Sequence, residues 1–129
     1  MATEEFIRFV SPLHNMCRVA NRDYEIGGVT IKAGQQVVLL YGSANRDPAH
    51  FRDPEVFDIR RTPNTHLAFG LGTHFCLGAG LARLEVKVFF EEFLRRVRDV
   101  SLAPGHEIVE TPNAFVYGLH EATIDLTPA

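Results

Sequence analysis

The chain has 129 residues, 46% of them hydrophobic and 22% charged, which suits one soluble globular domain with a modest core. A formal net charge of -3 gives no reason to expect a nucleic-acid partner. No apolar run approaches a membrane span, no basic-then-apolar leader opens the chain, and the two cysteines form no disulfide or zinc framework, so a reducing cytoplasm is expected.

Residues Thr3 to Val10 read as a short helix. Thr3 is its candidate cap, Glu4 and Glu5 suit its positive end, and Pro12 stops it. Glu5 and Arg8 lie three apart on one face and can pair, at well under ~1 kcal/mol if the pair is exposed. Leu13 to Ala20 reads as a strand, with Cys17 as inert core. Tyr24–Ile26 and Val29–Ile31 flank Gly27-Gly28, a two-residue hairpin turn. Lys32 to Gln35 is a second turn, and Gln36 to Tyr41 a further strand with a buried apolar run, completing one small antiparallel sheet. Regular structure ends at Asn45 to Pro48. From Ala49 to Thr65 the chain has no period, yet Phe51, Val56 and Phe57 argue for an ordered loop packed on the body.

The stretch His66 to Arg83, HLAFGLGTHFCLGAGLAR, places Cys76 between glycines, just before the longest helix. That helix reads as Gly80 to Arg98, with an apolar stripe through Leu81, Leu84, Val88, Phe89, Phe93, Leu94 and Val97. Arg83, Glu85, Glu92, Arg95 and Arg96 read as a solvated face. The remaining tail, Asp99 to Ala129, reads as short strands around Pro104-Gly105 and Pro112-Asn113. The fold class is therefore α+β, a single domain over 1–129.

Four roles compete for Cys76. Structural core needs no flanking glycines. A catalytic nucleophile wants a base, but His74, two residues away in an extended loop, is not poised to exchange its proton. Zinc needs four ligands, and His66, His74 and Cys76 are one short. A haem ligand needs only one thiolate, presented on a face that Gly70, Gly72 and Gly78 keep clear of side chains. A dinucleotide loop fails, because Phe75 and Arg83 stand where a third glycine belongs.

The segment Phe69 to Gly78, FGLGTHFCLG, resembles the haem-binding loop of the cytochrome P-450 family, Phe-Gly-x-Gly-x-His-x-Cys-x-Gly, at every fixed position. The resemblance implies haem b with Cys76 as iron ligand, and a cofactor site comprising Arg18, Phe69, Gly70, Gly72, His74, Cys76, Gly78 and Ala82. Arg18 and His74 face the haem propionates in that reading, and Phe69 shields the iron–sulfur bond. It also implies an ion-pair triad of Glu5, Arg8 and Arg61, with Arg60 the rival third member. Substrate-lining positions fall on Leu13, His14, Met16, Phe115 and Val116, suggesting a small, apolar organic substrate. The chemistry implied is monooxygenation: thiolate donation into iron favours O–O cleavage and insertion of one oxygen into a C–H bond. Electrons would come from a ferredoxin-type donor, with Arg83, Arg95 and Arg96 as candidate docking charges.

The family's usual length is about three times this one, so the chain corresponds to a C-terminal third without the distal oxygen-handling helix. No catalytic acid or base is assigned. Two functions follow: the haem-ligating part of a monooxygenase, or a truncated non-catalytic module that binds haem or a protein. In either case an apolar face is left over, which implies a homodimer or an N-terminal partner chain.

Overall fold

The first helix is fixed by what it buries. In the computed structural model, which describes all residues 1–129, α1 spans Ala2–Val10 and buries Glu5, Ile7 and Arg8. Its N-cap is Met1 with no side-chain hydrogen bond, so the cap expected of Thr3 does not form: the helix begins one residue earlier and takes Thr3 inside. At the other end Ser11 adopts a left-handed conformation, its N–H bonds the Ile7 carbonyl and its hydroxyl donates to the Arg8 carbonyl. Pro12 then prevents continuation.

The strands form four two-stranded antiparallel sheets. β1 (Asn15–Val19) pairs with β4 (Gln36–Leu40), while β2 (Tyr24–Ile26) and β3 (Val29–Ile31) make a separate hairpin between them. The single sheet expected over this region is thus two, because β4 pairs back onto β1 and leaves the hairpin by itself. Both hairpin glycines have positive φ, 56° at Gly27 and 77° at Gly28, as a tight primed turn demands. The second turn is held by Asp23, which accepts from Lys32 Nζ and the Ala33 N–H.

Neither the apolar run of β4 nor Cys17 is buried as expected; in β4 only Val37 is even half-buried, and Cys17 is exposed. A two-stranded ribbon offers one narrow face to the body, and nothing covers the other. A short helix, α2 (Tyr41–Ala44), follows β4 directly, where a strand residue and a loop were expected.

The loop from 49 to 65 is ordered and packed. Phe51 is buried, and the Phe57 ring packs tilted against Phe6 and edge-on to Phe9 of α1, with centroids 5.0 and 5.4 Å apart. Beyond the cysteine segment, α3 runs Ala79–Arg96, beginning one residue earlier and ending two earlier than expected. The chain leaves the helix because Val97 to Leu102 forms β5 against β8 (Ile124–Pro128), and pairing there outweighs continuing the helix. β6 (Val109–Glu110) and β7 (Leu119–Glu121) complete the tail.

The interior is small, and its most deeply buried side chains are polar. Nine of 129 residues are buried, and the largest fully buried side chains are Arg8, Glu5, Asn45 and Ser11. Arg8 donates two 2.8 Å hydrogen bonds to the Glu5 carboxylate, and its Nη1 donates to the carbonyls of Asn45 (2.7 Å) and Pro54 (3.0 Å). Arg61 Nε lies 3.2 Å from both Glu5 oxygens, the Asp58 N–H donates to Glu5 at 2.9 Å, and Asn64 Nδ2 at 3.0 Å. Arg60 makes no bond to Glu5; its N–H donates to Asp58 Oδ1. Asn45 donates to Ser11 Oγ and accepts the Leu67 N–H at 2.7 Å, tying α1 to the segment entering the cysteine loop.

Burial alone would raise the Glu5 carboxyl, but hydrogen bonds from Arg8, the Asp58 backbone and Arg61 outweigh it and hold it at about 2 instead of 4.5. A carboxyl lowered on folding stabilises above its unfolded value, and that stability drains as it is protonated. Acid titration followed by circular dichroism is therefore expected to show stability intact above pH 4.5 and lost as pH falls toward about 2. Arg8→Met leaves a buried carboxylate without its bidentate partner and should cost about 3–5 kcal/mol in denaturant unfolding. Arg60→Met should stay within about 0.5 kcal/mol of the parent, and a larger loss would contradict this assignment.

Candidate functional site

The cysteine loop is a closed backbone turn that presents its side chains outward. The Gly70 N–H bonds the Leu67 carbonyl at 2.8 Å, and the Cys76 N–H bonds the Phe69 carbonyl at 2.9 Å, so the chain doubles back between Phe69 and Cys76. Gly70 and Gly72 both have φ of 71°, a conformation side chains resist. A Cβ on Gly70 would also sit 3.5 Å from the Tyr41 hydroxyl and 3.7 Å from the His74 carbonyl. Gly72–His74 forms one 3₁₀ turn rather than the extended loop expected, because positive φ at Gly72 curls the chain.

Cys76 is exposed, and so are its neighbours: Leu71, Phe75 and Leu77 all face outward. A Cβ on Gly78 would lie 3.9 Å from Cys76 Sγ, so that side of the sulfur is bounded by backbone only. The α3 helix begins at Ala79, three residues after the cysteine, and the Ala79 N–H bonds the Cys76 carbonyl at 3.2 Å. A thiol set in an apolar, glycine-edged surface can serve a large flat apolar ligand. No three His, Cys, Asp or Glu side chains converge on one point, so the loop offers no zinc-type ligand set.

Phe69 is half-buried under the loop. Its ring centroid is 6.4 Å from that of Phe75, 5.9 Å from that of His66, and 4.7 Å from the Arg83 guanidinium carbon. Arg83 therefore does not belong to a solvated helix face: its Nε and Nη2 grip Glu4 of α1 at 2.8 and 3.0 Å. Arg95 and Arg96 stay on the exposed face, paired with Glu92. Ala82 is half-buried, and its N–H bonds the Gly78 carbonyl in the first turn of α3.

His66 has a buried side chain, 2% exposed. Desolvation pushes its imidazole below the ordinary 6.5, with Glu4 opposing, so the ring is neutral near pH 7. Its Nδ1 accepts the Ala68 N–H at 3.3 Å, which leaves the proton on Nε2 to donate to Glu4 at 3.2 Å. The hydrogen bonds from Arg83 in turn hold the Glu4 carboxyl below its ordinary range.

The remaining expected positions fall into two groups. Leu13 bridges Val116, the His14 N–H bonds the Phe115 carbonyl at 2.9 Å, and the Tyr117 N–H bonds the Pro12 carbonyl at 2.7 Å. The tail turn is thereby stitched to the entrance of β1, and Met16 follows on β1 opposite Leu39. An open cavity of about 630 Å³ touches His14 and Tyr117 but no residue of the cysteine loop. Arg18 is half-buried, and its guanidinium makes one hydrogen bond, to the Cys17 carbonyl. The His74 ring is exposed.

Sequence reasoning missed Asn45, Ser11 and Asn64, which bind the buried network, and the partners of Glu4 and His66. Their signals are weak: single polar residues in loops, meeting partners tens of residues away. Glu4 at least stands beside Glu5, so a helix turns it toward a different neighbour.

Residues 1–127 match the family described as Cytochrome P-450. The chain is 46% identical over 129 residues to the steroid C26-monooxygenase of Mycobacterium tuberculosis (strain CDC 1551 / Oshkosh), covering 99% of this chain and 35% of that protein. It is 52% identical over 102 residues to the biotin biosynthesis cytochrome P-450 of Bacillus subtilis (strain 168), covering 79% of this chain and 26% of the relative. Among solved structures it resembles CYP109E1 from Bacillus megaterium in complex with testosterone, at a TM-score of 0.88 and 44% identity, over 94% of this chain and 33% of that one. The chain thus spans about a third of the length of the first of these relatives. With its mixed helix-and-sheet architecture and its cysteine loop, it belongs to the cytochrome P-450 family.

Proposed function

We propose that this chain is the haem-ligating portion of a monooxygenase, with Cys76 Sγ as the proximal ligand of haem b iron. The observation that carries the reading is the exposed Cys76 thiol set among exposed Phe75, Leu71 and Leu77, with only backbone at Gly78 beside the sulfur. Haem is flat, apolar and wider than any one side chain, and that surface suits it. Gly70, Gly72 and Gly78 leave room for the ring, Phe69 and Ala82 back the loop, and with haem in place Phe69 would shield the iron–sulfur bond.

Arg18 and His74 are the residues we assign to the two propionates. The Arg18 guanidinium has donors to spare beyond its single bond to Cys17, and the His74 ring is open to solvent. When bound, the haem supplies oxygen activation and the insertion of one oxygen atom into a C–H bond of the substrate. The protein's part is to present one thiolate, keep it dry and hydrogen-bond its surroundings. Leu13, His14, Met16, Phe115 and Val116 contribute a partly apolar edge for a small organic substrate, which the stitching of the tail turn to β1 keeps together. A ferredoxin-type donor in the cytoplasm is the electron source we infer; no helix here is long and apolar enough to cross a membrane. Arg83, Arg95 and Arg96 remain its candidate contacts on this chain.

The chain also needs a cover. Its accessible surface is 9753 Å², where a folded monomer of 14.5 kDa is expected to show roughly 6,900 Å². Exposed apolar side chains contribute to the surplus along the chain, on the strands and on the outer face of α3, where Leu81 is 62% and Phe89 57% exposed. A patch of this kind is normally covered. We infer a second copy of this chain or an N-terminal partner chain as the cover. Sedimentation is expected to show self-association of the isolated chain, and a compact monomer at working concentration would count against it.

Haem titration of the purified chain, followed by reduction and carbon monoxide, tests the ligand. A thiolate-type Soret shift that disappears in Cys76→Ala is the expected outcome. An imidazole-type spectrum or no uptake would sink the reading and leave a truncated interaction module in its place.

A further inference from the structure

Two side chains from separate parts of the chain meet around the Glu4 carboxylate, beside the cysteine loop. Glu4 on α1 accepts Arg83 Nε at 2.8 and 3.1 Å, Arg83 Nη2 at 3.0 Å, and His66 Nε2 at 3.2 Å. The partners come from α3 and from the segment entering the loop, 79 and 62 residues away in sequence. Arg83 does two things at once: it forks onto Glu4, and it lies 4.7 Å from the centre of the Phe69 ring. The His66 ring approaches Phe69 from its own side at 5.9 Å. Phe69 in turn gives its carbonyl to the Cys76 N–H at 2.9 Å.

We propose that Glu4, His66 and Arg83 form a positioning cluster that fixes Phe69, and through the Phe69 carbonyl fixes the Cys76 backbone and the direction of its Sγ. A bidentate guanidinium is a rigid plane, so anchoring it on Glu4 sets where its face meets the ring. The buried neutral His66 fills both its hydrogen bonds and pins the start of the same segment. The cluster is separate from the Glu5 network, which holds α1 to the loop from 49 to 65. Arg83 keeps 37% of its side chain exposed, so this positioning role stands beside the docking role expected of it. Only the link to iron rests on the haem-thiolate reading; the control of the cysteine backbone does not.

Amide hydrogen exchange on the 129-residue chain, without haem, tests it. In Arg83→Met the Cys76 amide is expected to exchange about tenfold faster, while amides from Val88 to Arg96 keep their protection. Arg83→Lys, which keeps the charge but not the fork, should fall between the two. Arg95→Met, which removes an exposed pair on the same helix, should leave Cys76 unchanged. Glu4→Gln, close in shape, repeats the test should Arg83→Met fold poorly. Unchanged Cys76 exchange in both variants overturns the proposal, and so does uniform acceleration across the chain, which would make the cluster a general brace. In haem-loaded protein, Arg83→Met should also move the reduced carbon monoxide band away from the thiolate type. Failure of the parent chain to take up haem would sink the ligand reading alone, since the exchange result decides the cluster by itself.

Discussion

The structure depends on one buried carboxylate. Glu5 collects donors from Arg8, Arg61, Asn64 and the Asp58 backbone, and each belongs to a segment that would otherwise have little reason to be where it is. The loop from 49 to 65 has no helix or strand of its own. It is held because its carbonyls at Pro54 and Val56 satisfy Arg8, while Arg61 satisfies Glu5. Breaking one partner leaves a charge stranded out of water, which is why such a network tolerates so little change.

Polar bonding also solves a problem of size. The cysteine loop is exposed from Leu71 to Gly78, so no apolar layer of this chain holds it in place. It is fixed from beneath instead: Asn45 holds the Leu67 N–H, the Phe69 carbonyl holds Cys76, and Arg83 lies on the Phe69 ring. Directional bonds fix position with few atoms, where apolar packing needs bulk on every side. The buried Glu5 and Arg8 of α1 serve the loop from 49 to 65 as much as the helix.

What could be read from the sequence was local. The Gly27-Gly28 hairpin was legible because two positive-φ residues between β-branched strands admit few alternatives. The helix after Cys76 was legible from its length, and the loop pattern from its spacing. Arg61 was favoured over Arg60 only by resemblance, and the geometry resolves it, since just one of two adjacent side chains can turn inward. The failures were failures of partner. Cys17 and the β4 run look like core because they are apolar, but burial depends on what covers a strand, and a sequence does not print that. The expected helix stripe has the same character: Leu81, Leu84, Val88, Phe89 and Leu94 are exposed, and the ring that packs on α1 is Phe90, stacked on Phe6 at 4.3 Å. Arg83 was misread because its partner stands at the other end of the chain.

An interior built from charge and backbone has a thermodynamic signature. Only five apolar residues are buried, three of them alanine, so unfolding exposes less new hydrocarbon than is usual for this length. The heat capacity of unfolding follows that area, as does the dependence on denaturant concentration. The chain alone therefore has a shallow, broad stability curve with weak cold and denaturant sensitivity for its length. Covering the outer face of α3 would steepen both, so the heat capacity reports how complete the fold has become.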